Sequence, residues 1–361
     1  MITEKYSISF ENFYPSKFLG SPDKLVFFDI ETTGFSNTYS QVYLIGCVYF
    51  FHKQWQIIQW FADNMKEEKE ILMAFFDFIK NFKILVHFNG ESFDIPFLLK
   101  RCQAYELNFD VSVFTSIDIF KQIRPYRKIL GLDNLKQKSI EQFLGIFRQD
   151  LYSGAQLIDV YKDYMINRNS TLYEILLLHN REDLEGMLLI LPALSYVDFF
   201  EQDFVLKGQQ ILELSDISKE KAFCLCLNLE SLVSVPVEIC WETPHAKCLA
   251  KGKYLELTIE LFNGTLKHFY HDYKNYYYLI YEDRAVHKSV GEFVEKEARK
   301  KATAQTCYAK KTSIFVPQPE KLWSPTFQKD YRTKQLYAEY QPDLLESPKA
   351  LIIFIRYLLE S

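Results

Sequence analysis

Apolar positions change their period along this chain, and the changes mark out its elements. Leu25-Val26-Phe27-Phe28 is a short continuous apolar run with β-branched and aromatic members, which predicts a buried strand over 25–30. Further strands are expected near 42–50, 54–61, 84–88 and 111–116. Between 66 and 80 the spacing turns helical, with Ile71, Leu72, Phe75, Phe76 and Ile79 sharing one side. A second helix is expected over 94–105, where Pro96 is acceptable only in the first turn. More helices run on to about 196. Three strands in succession, then alternating helix and strand, predict an α/β domain with a mixed sheet rather than a doubly wound parallel one.

Near residue 200 the pattern becomes strand-rich. Strands are expected over 222–229 and 232–241, and a hairpin over 253–262 and 265–271 around Asn263-Gly264, the strongest short hairpin signal. Tyr276-Tyr277-Tyr278-Leu279-Ile280-Tyr281 reads as another strand, and 289–303 as a helix. Leu351-Ile352-Ile353-Phe354-Ile355 is interrupted by Arg356, which predicts an amphipathic helix rather than a membrane span. The chain is therefore expected to hold two domains, 1–206 and a smaller, mainly β unit over 207–361.

Composition alters this picture little. Of 361 residues 48% are hydrophobic and 25% charged, a balance that suits globular domains. The start, Met1-Ile2-Thr3-Glu4-Lys5, lacks the basic-then-apolar pattern of a signal peptide. Seven cysteines form no repeating framework, so free thiols in a cytoplasmic protein without a membrane anchor are expected. Cys224, Cys226, Cys240, His245 and Cys248 do not follow a standard zinc spacing, and Cys224 and Cys226 alternate with leucines as a strand would. The net charge of −5 argues against a uniformly basic coat for nucleic acid. It is unevenly spread, because residues 284–311 carry eight basic and three acidic groups. Arg299, Lys300 and Lys301 lie there, near tyrosines, and read either as contacts to a phosphate backbone or as a solvated helix end whose cations complement its dipole.

Candidate chemistry sits at the ends of the core strands. Asp29 and Glu31 lie two apart after Leu25–Phe28, so a strand points both carboxylates to one face. Two anions held so close repel, and a hard divalent cation between them relieves the repulsion. Alone, an Asp-x-Glu after a strand is no more than a strand ending in a polar turn. Two further segments change that. Ile84-Leu85-Val86 leads through Phe88-Asn89-Gly90 to Phe93-Asp94, which places Asp94 at a helix N-terminus just beyond a core strand. Farther on, His179 and Asp183 lie four apart on one helical face.

Asp29-Ile30-Glu31-Thr32-Thr33-Gly34, then Phe88-Asn89-Gly90-Glu91-Ser92-Phe93-Asp94, then His179 with Asp183, resemble the three exonuclease motifs of the DEDD superfamily, the DnaQ-like nucleases of the ribonuclease H-like fold. The likeness covers roughly residues 24–200. Gly131-Leu132-Asp133-Asn134-Leu135-Lys136, Phe143-Leu144-Gly145 and Tyr152-Ser153-Gly154 bring it nearest to the YprB-type ribonuclease H-like proteins.

The resemblance implies a mixed five-stranded sheet flanked by helices. It also implies two Mg2+ or Mn2+ ions on Asp29, Glu31, Asp94 and Asp183, and hydrolysis of phosphodiesters in single-stranded DNA or RNA, most naturally from the 3′ end. A structure-specific endonuclease, or a binding module with a vestigial site, would use the same fold. Thr32, Thr33 and Gly34 would line the slot for the terminal nucleotide. Asn89 would contact the strand or brace its own turn, and Phe93 would be core or an aromatic wedge. Asp118 is expected to cap a helix or support the site from behind, and His87 to be structural. His179 departs from the pattern. One subgroup has histidine five residues before the last Asp and the other tyrosine four before it; here histidine stands at the tyrosine spacing and Leu178 at the usual histidine position. An imidazole, with its ordinary pKa of about 6.5, suits deprotonation of water; a helix-surface histidine that only touches substrate is the alternative.

Overall fold

Alternation of half-buried and exposed residues along Ile2–Ile8 makes this segment (β1) an edge strand, paired antiparallel with a strand at 54–61. Local pattern does not reveal it, because its inward positions include Glu4, which interrupts the apolar alternation and accepts a hydrogen bond from Tyr173. The computed structural model describes all residues except 11, 12, 18, 150, 151, 216–220 and 361. The described chain divides into two units, one of Met1–Gln202 with Leu232–Ile239, the other of Asp203–Ser231 with Cys240–Ser361.

The first unit contains β2 (Leu25–Thr32), β3 (Val42–Phe51), β4 (Gln54–Phe61), helix α1 (Glu68–Ile79), β5 (Ile84–His87), α2 (Asp94–Ala104) and β6 (Thr115–Asp118). Helices α3 (Ile119–Ile123), α4 (Gln137–Phe143), α5 (Gly154–Asn167), α6 (Ser170–Leu189) and α7 (Leu194–Glu201) follow. The sheet runs β1-β4-β3-β2-β5-β6, six strands where five were expected. Strands β2, β5 and β6 are parallel and the others antiparallel, so the sheet is mixed, as the order of elements predicted. The strand expected over 111–116 begins later, at Thr115.

Buried Val26 and Phe28 of β2 join Ile71, Leu72, Phe75, Phe76 and Ile79 of α1 in one core with Leu176 and Leu177 of α6. One polar cluster is built into that packing. Glu68, wholly buried, accepts from the Val42 amide at 2.8 Å, from Arg101 at 2.7 Å through both oxygens, and from the Tyr105 hydroxyl at 2.8 Å. A buried carboxylate is tolerable only when so fully satisfied. These bonds tie the start of β3 to α1 and α2.

The second unit is mainly β, as expected. It holds β7 (Val205–Ser215), the 221–231 and 240–242 parts of β8 (Lys221–Glu242), β9 (Lys247–Phe269), β10 (Tyr276–Leu279), β11 (Arg284–His287), the single turn α8 (Lys288–Gly291), β12 (Arg299–Lys301), β13 (Tyr308–Gln318), β14 (Thr326–Phe327), β15 (Leu336–Glu339) and α9 (Pro348–Leu359). Six strands order as β14-β15-β13-β9-β8-β7 and three as β11-β10-β12. Two sequence expectations fail here. The segment around Asn263-Gly264 is no hairpin. β9 runs straight through it, with Asn263 opposite Ile314 and Gly264 opposite Ser313, because 262–269 pairs with β13 and β9 lies between β13 and β8 in the sheet rather than folding back on itself. The stretch 289–303 is not a helix either: after α8, Arg299, Lys300 and Lys301 are drawn into pairing with Leu279, Tyr278 and Tyr277. α9 has the amphipathic character expected, and no helix among the described residues is long and apolar enough to cross a membrane.

Candidate metal centre

Three elements deliver the acidic side chains. β2 carries Asp29 and Glu31, and its pairing with β3 shifts register just after Glu31, where the strand gives way to the Thr32-Thr33-Gly34 turn. That turn is held by its own polar groups. The Thr32 hydroxyl donates to Gly34 O at 2.8 Å, the Thr33 amide to Gln41 O at 2.9 Å, and the Gln41 amide to the Thr33 hydroxyl at 2.9 Å. Asp94 opens α2, where the helix N-terminus favours a carboxylate. His179 and Asp183 lie one turn apart on α6.

The α6 residues meet Glu31 directly. His179 Nε2 stands 3.2 Å from Asp183 Oδ2 and 3.7 Å from Glu31 Oε1. Glu31, His179 and Asp183 are the cluster among the described residues whose donor atoms lie close enough together, within 4.8 Å, to share a metal ion. Asp29 and Asp94 stand outside that triad but within its field. Burial, and then the charges of Asp183, Glu31 and Asp94, push the Asp29 carboxyl well above the usual range; a bond from Asn180 acts in the opposite sense. Burial raises Asp94 to about 7, against the pull of backbone amides including that of Ile30, with Asp118 and Asp183 adding repulsion. Carboxylates that destabilise one another in this way are an oxygen donor set that a hard divalent cation satisfies. The residues therefore fit a hard divalent cation.

Two residues that the sequence does not single out hold this arrangement. Asn180 is completely buried; its Nδ2 donates to Asp29 Oδ2 at 2.8 Å, and its Oδ1 accepts from Gln59 Nε2 at 2.8 Å. Opposite Asp29 on β3 sits Gly46, where a Cβ would fall 2.1 Å from Asn180 Oδ1 and 2.6 Å from Leu184. Glycine thus lets α6 approach the strand closely enough to bring His179 and Asp183 to Glu31. A lone Asn beside a histidine and a Gly inside a strand carry no chemical signature in sequence, although an interior strand glycine does signal close backbone approach.

Asn89 takes a left-handed backbone (φ 61°) in the turn after β5, and its amide donates to Asp118 Oδ1 at 2.9 Å. Asp118 caps α3 and also accepts from the Glu91 amide, so it braces the turn leading to Asp94. His87 is fully buried; its Nδ1 accepts from the Gly90 amide at 3.1 Å and its Nε2 meets the Ser116 hydroxyl at 2.8 Å, which fixes the same turn. Phe93 is half-buried against Phe97, at 5.5 Å between ring centres. In the second unit Arg299 lies over the Tyr277 ring at 4.5 Å and Lys300 over the Tyr278 ring at 5.3 Å, while Lys301 is exposed.

Residues 26–195 match the family model described as the RNase H superfamily. Among curated proteins, a DNA polymerase of Ostreid herpesvirus 1 (isolate France) is 41% identical over 51 residues, which is 14% of this chain and 3% of that protein. DNA polymerase 1 of Sulfurisphaera ohwakuensis is 43% identical over 48 residues, 13% of this chain and 5% of that protein. The chain thus spans a small fraction of these relatives' length. Among solved structures, the family B DNA polymerase of Pyrobaculum calidifontis aligns with 12% identity and a TM-score of 0.38, over 71% of this chain and 35% of its own. Escherichia coli exonuclease I in complex with a dT13 oligonucleotide aligns with 11% identity and a TM-score of 0.28, over 57% and 54%.

Proposed function

We propose, from the premise that residues 26–195 belong to the RNase H superfamily, that this chain is a metal-dependent nuclease, a 3′→5′ exonuclease acting on single-stranded DNA or RNA. The observation that carries this reading is the convergence of four carboxylates, with Glu31, Asp94 and Asp183 all within electrostatic range of Asp29 and His179 pointing Nε2 at two of them. A functionless cluster of this kind would destabilise the fold, and its retention makes sense as a cation site. Two Mg2+ or Mn2+ ions would supply an acidified water and charge stabilisation for the leaving oxygen.

The chain's own residues do the rest. Asp29, Glu31, Asp94 and Asp183 would hold the cations, and Asn180 fixes the Asp29 carboxylate by its 2.8 Å bond. His179 takes the proton from the attacking water, a role its Nε2 position beside Glu31 and Asp183 supports. The Thr32-Thr33-Gly34 turn, Asn89 and Phe93 border the terminal nucleotide.

The test uses end-labelled single-stranded DNA and RNA of one sequence with Mg2+ or Mn2+, and with EDTA and Asp29→Ala as controls. The expected outcome is a metal-dependent ladder shortening from the 3′ end that the variant lacks. His179→Ala should slow turnover by about 10²–10⁴ while leaving oligonucleotide affinity near that of the parent. Cleavage by Asp29→Ala at the parent rate would overturn the site, and internal cuts would replace the exonuclease reading with an endonuclease on the same residues.

A further inference from the structure

Asp183 presents its two carboxylate oxygens to two different partners. Oδ2 faces His179 Nε2 at 3.2 Å, and Oδ1 accepts a bond from Arg148 Nη1. Arg148 comes from the segment between α4 and α5, and its side chain is 8% exposed. Its other edge, Nε and Nη2, forks onto both oxygens of Glu141 in α4, a side chain only 1% exposed. Gln137, one turn earlier in α4, donates 2.8 Å to the Asp183 carbonyl and 3.0 Å to Glu141 Oε1. Gly186 of α6 makes room for the cluster: a Cβ there would lie 2.2 Å from Glu141 Oε1, 2.5 Å from Gln137 Nε2 and 2.9 Å from Arg148 Nη2.

Two features separate this from an ordinary buried ion pair. The guanidinium already has a full bidentate partner in Glu141, so the bond to Asp183 is additional to what its burial requires. It is also made by one Asp183 oxygen alone, leaving the other turned toward His179.

We infer that Arg148, fixed by Glu141, is a positioning residue for the metal centre: it locks the Asp183 carboxylate so that Oδ2 faces the cation. The inference rests on the nuclease reading of Asp29, Glu31, Asp94 and Asp183, and it adds a residue from outside the three motifs. A planar fork can span Glu141 and Asp183 together, whereas an ammonium acts as a point charge and holds neither orientation firmly. Outer partners of this kind are worth about 10–100-fold in metal affinity.

The experiment is a Mn2+ titration of the full chain by calorimetry, alongside melting temperature and the metal dependence of cleavage. The set is wild type, Arg148→Gln, Arg148→Lys and Asp183→Ala. Arg148→Gln should bind Mn2+ about 10–100-fold more weakly. Its cleavage rate should recover toward wild type at saturating metal, and Arg148→Lys should fall between the two. A purely structural role would lower the melting temperature and leave Mn2+ affinity where it was, which would overturn the inference. Should Arg148→Gln not fold, Arg148→Lys decides: weaker Mn2+ binding in a folded protein supports the clamp, and wild-type binding removes it. Absence of Mn2+ binding by the wild type itself would overturn the metal-centre reading and the clamp with it. Wild-type binding lost only in Asp183→Ala would keep the centre and discard the clamp.

Discussion

Asp94 illustrates what burial does to a single carboxyl. Its carboxyl titrates near 7 in the folded chain, raised from 3.8 chiefly by burial. For a group raised on folding, the favourable contribution is complete below the unfolded pKa and is lost as pH climbs through the folded one. Without metal, the protein should therefore lose stability between about pH 4 and pH 7 on account of this residue, by an amount on the order of a few kcal/mol. Asp94→Asn removes the charge and keeps the shape. In EDTA it should melt above wild type at pH 8 and close to it at pH 5, yet cleave nothing when Mg2+ is restored. Added Mn2+ should reverse the order at pH 8 by stabilising only wild type. Thermal scans at the two pH values, with and without metal, check this; a variant that melts below wild type at pH 8 in EDTA would mean that the Asp94 carboxylate is not under electrostatic strain.

At the level of elements, the proposed metal centre depends on how closely α6 lies against β2 and β3. Gly46 permits that approach, and a Cβ at this position overlaps Asn180 and Leu184. Gly46→Ala should cost roughly 1–3 kcal/mol through overpacking. By shifting Asn180 and its helix it should also slow metal-dependent cleavage at least tenfold in the protein that still folds, since misplacement of about 1 Å has effects of that size or larger. Rates read well below the melting temperature separate the two effects, and a folded Gly46→Ala with the parent rate would show that the helix is positioned by other contacts. The same contrast explains what was legible beforehand. Asp29 and Glu31 are two apart on a strand, and His179 and Asp183 four apart on a helix, so local periodicity alone puts each pair on one face. The α1 core positions followed their spacing for the same reason. Asn180, Gly46, Glu141 and Arg148 matter only because α4, α6 and β3 pack together, and no local pattern encodes that. Tertiary pairing likewise overrode local preference at Asn263-Gly264, which β13 holds extended, and at Arg299-Lys300-Lys301, which β10 draws into a sheet.

Across the whole molecule, charge is the property that bears on the proposed polyanionic substrate. The chain is −5 overall, and part of that excess is the acidic cluster that cations would neutralise. Residues 284–311 carry the opposite sign, with eight basic and three acidic groups. Several of these cations already have partners: Arg284 pairs with Glu282, Lys310 with Asp283 and Lys311 with Glu339. Arg299 bonds to the Gly291 carbonyl as well as covering Tyr277. Lys300 and Lys301 differ, for neither has an ion-pair partner among the described residues, both are exposed, and Lys300 lies beside a tyrosine face. Cations and aromatics at one strand suit a single-stranded backbone with stacked bases. For a single strand, each phosphate that a lysine no longer neutralises should lower the salt slope of binding by about 0.7. With Asp29→Ala in place to prevent cleavage, Lys300→Glu with Lys301→Glu should weaken oligonucleotide binding and reduce that slope by about 1–2. Charge reversal at the paired Lys310 should reduce affinity less, because Asp283 already neutralises its charge. Fluorescence anisotropy over a range of salt concentrations reads both quantities. An unchanged slope in the double variant would remove β12 from the substrate path and leave binding to the first unit, whereas a slope that falls with affinity would make the second unit the part of the chain that holds the strand.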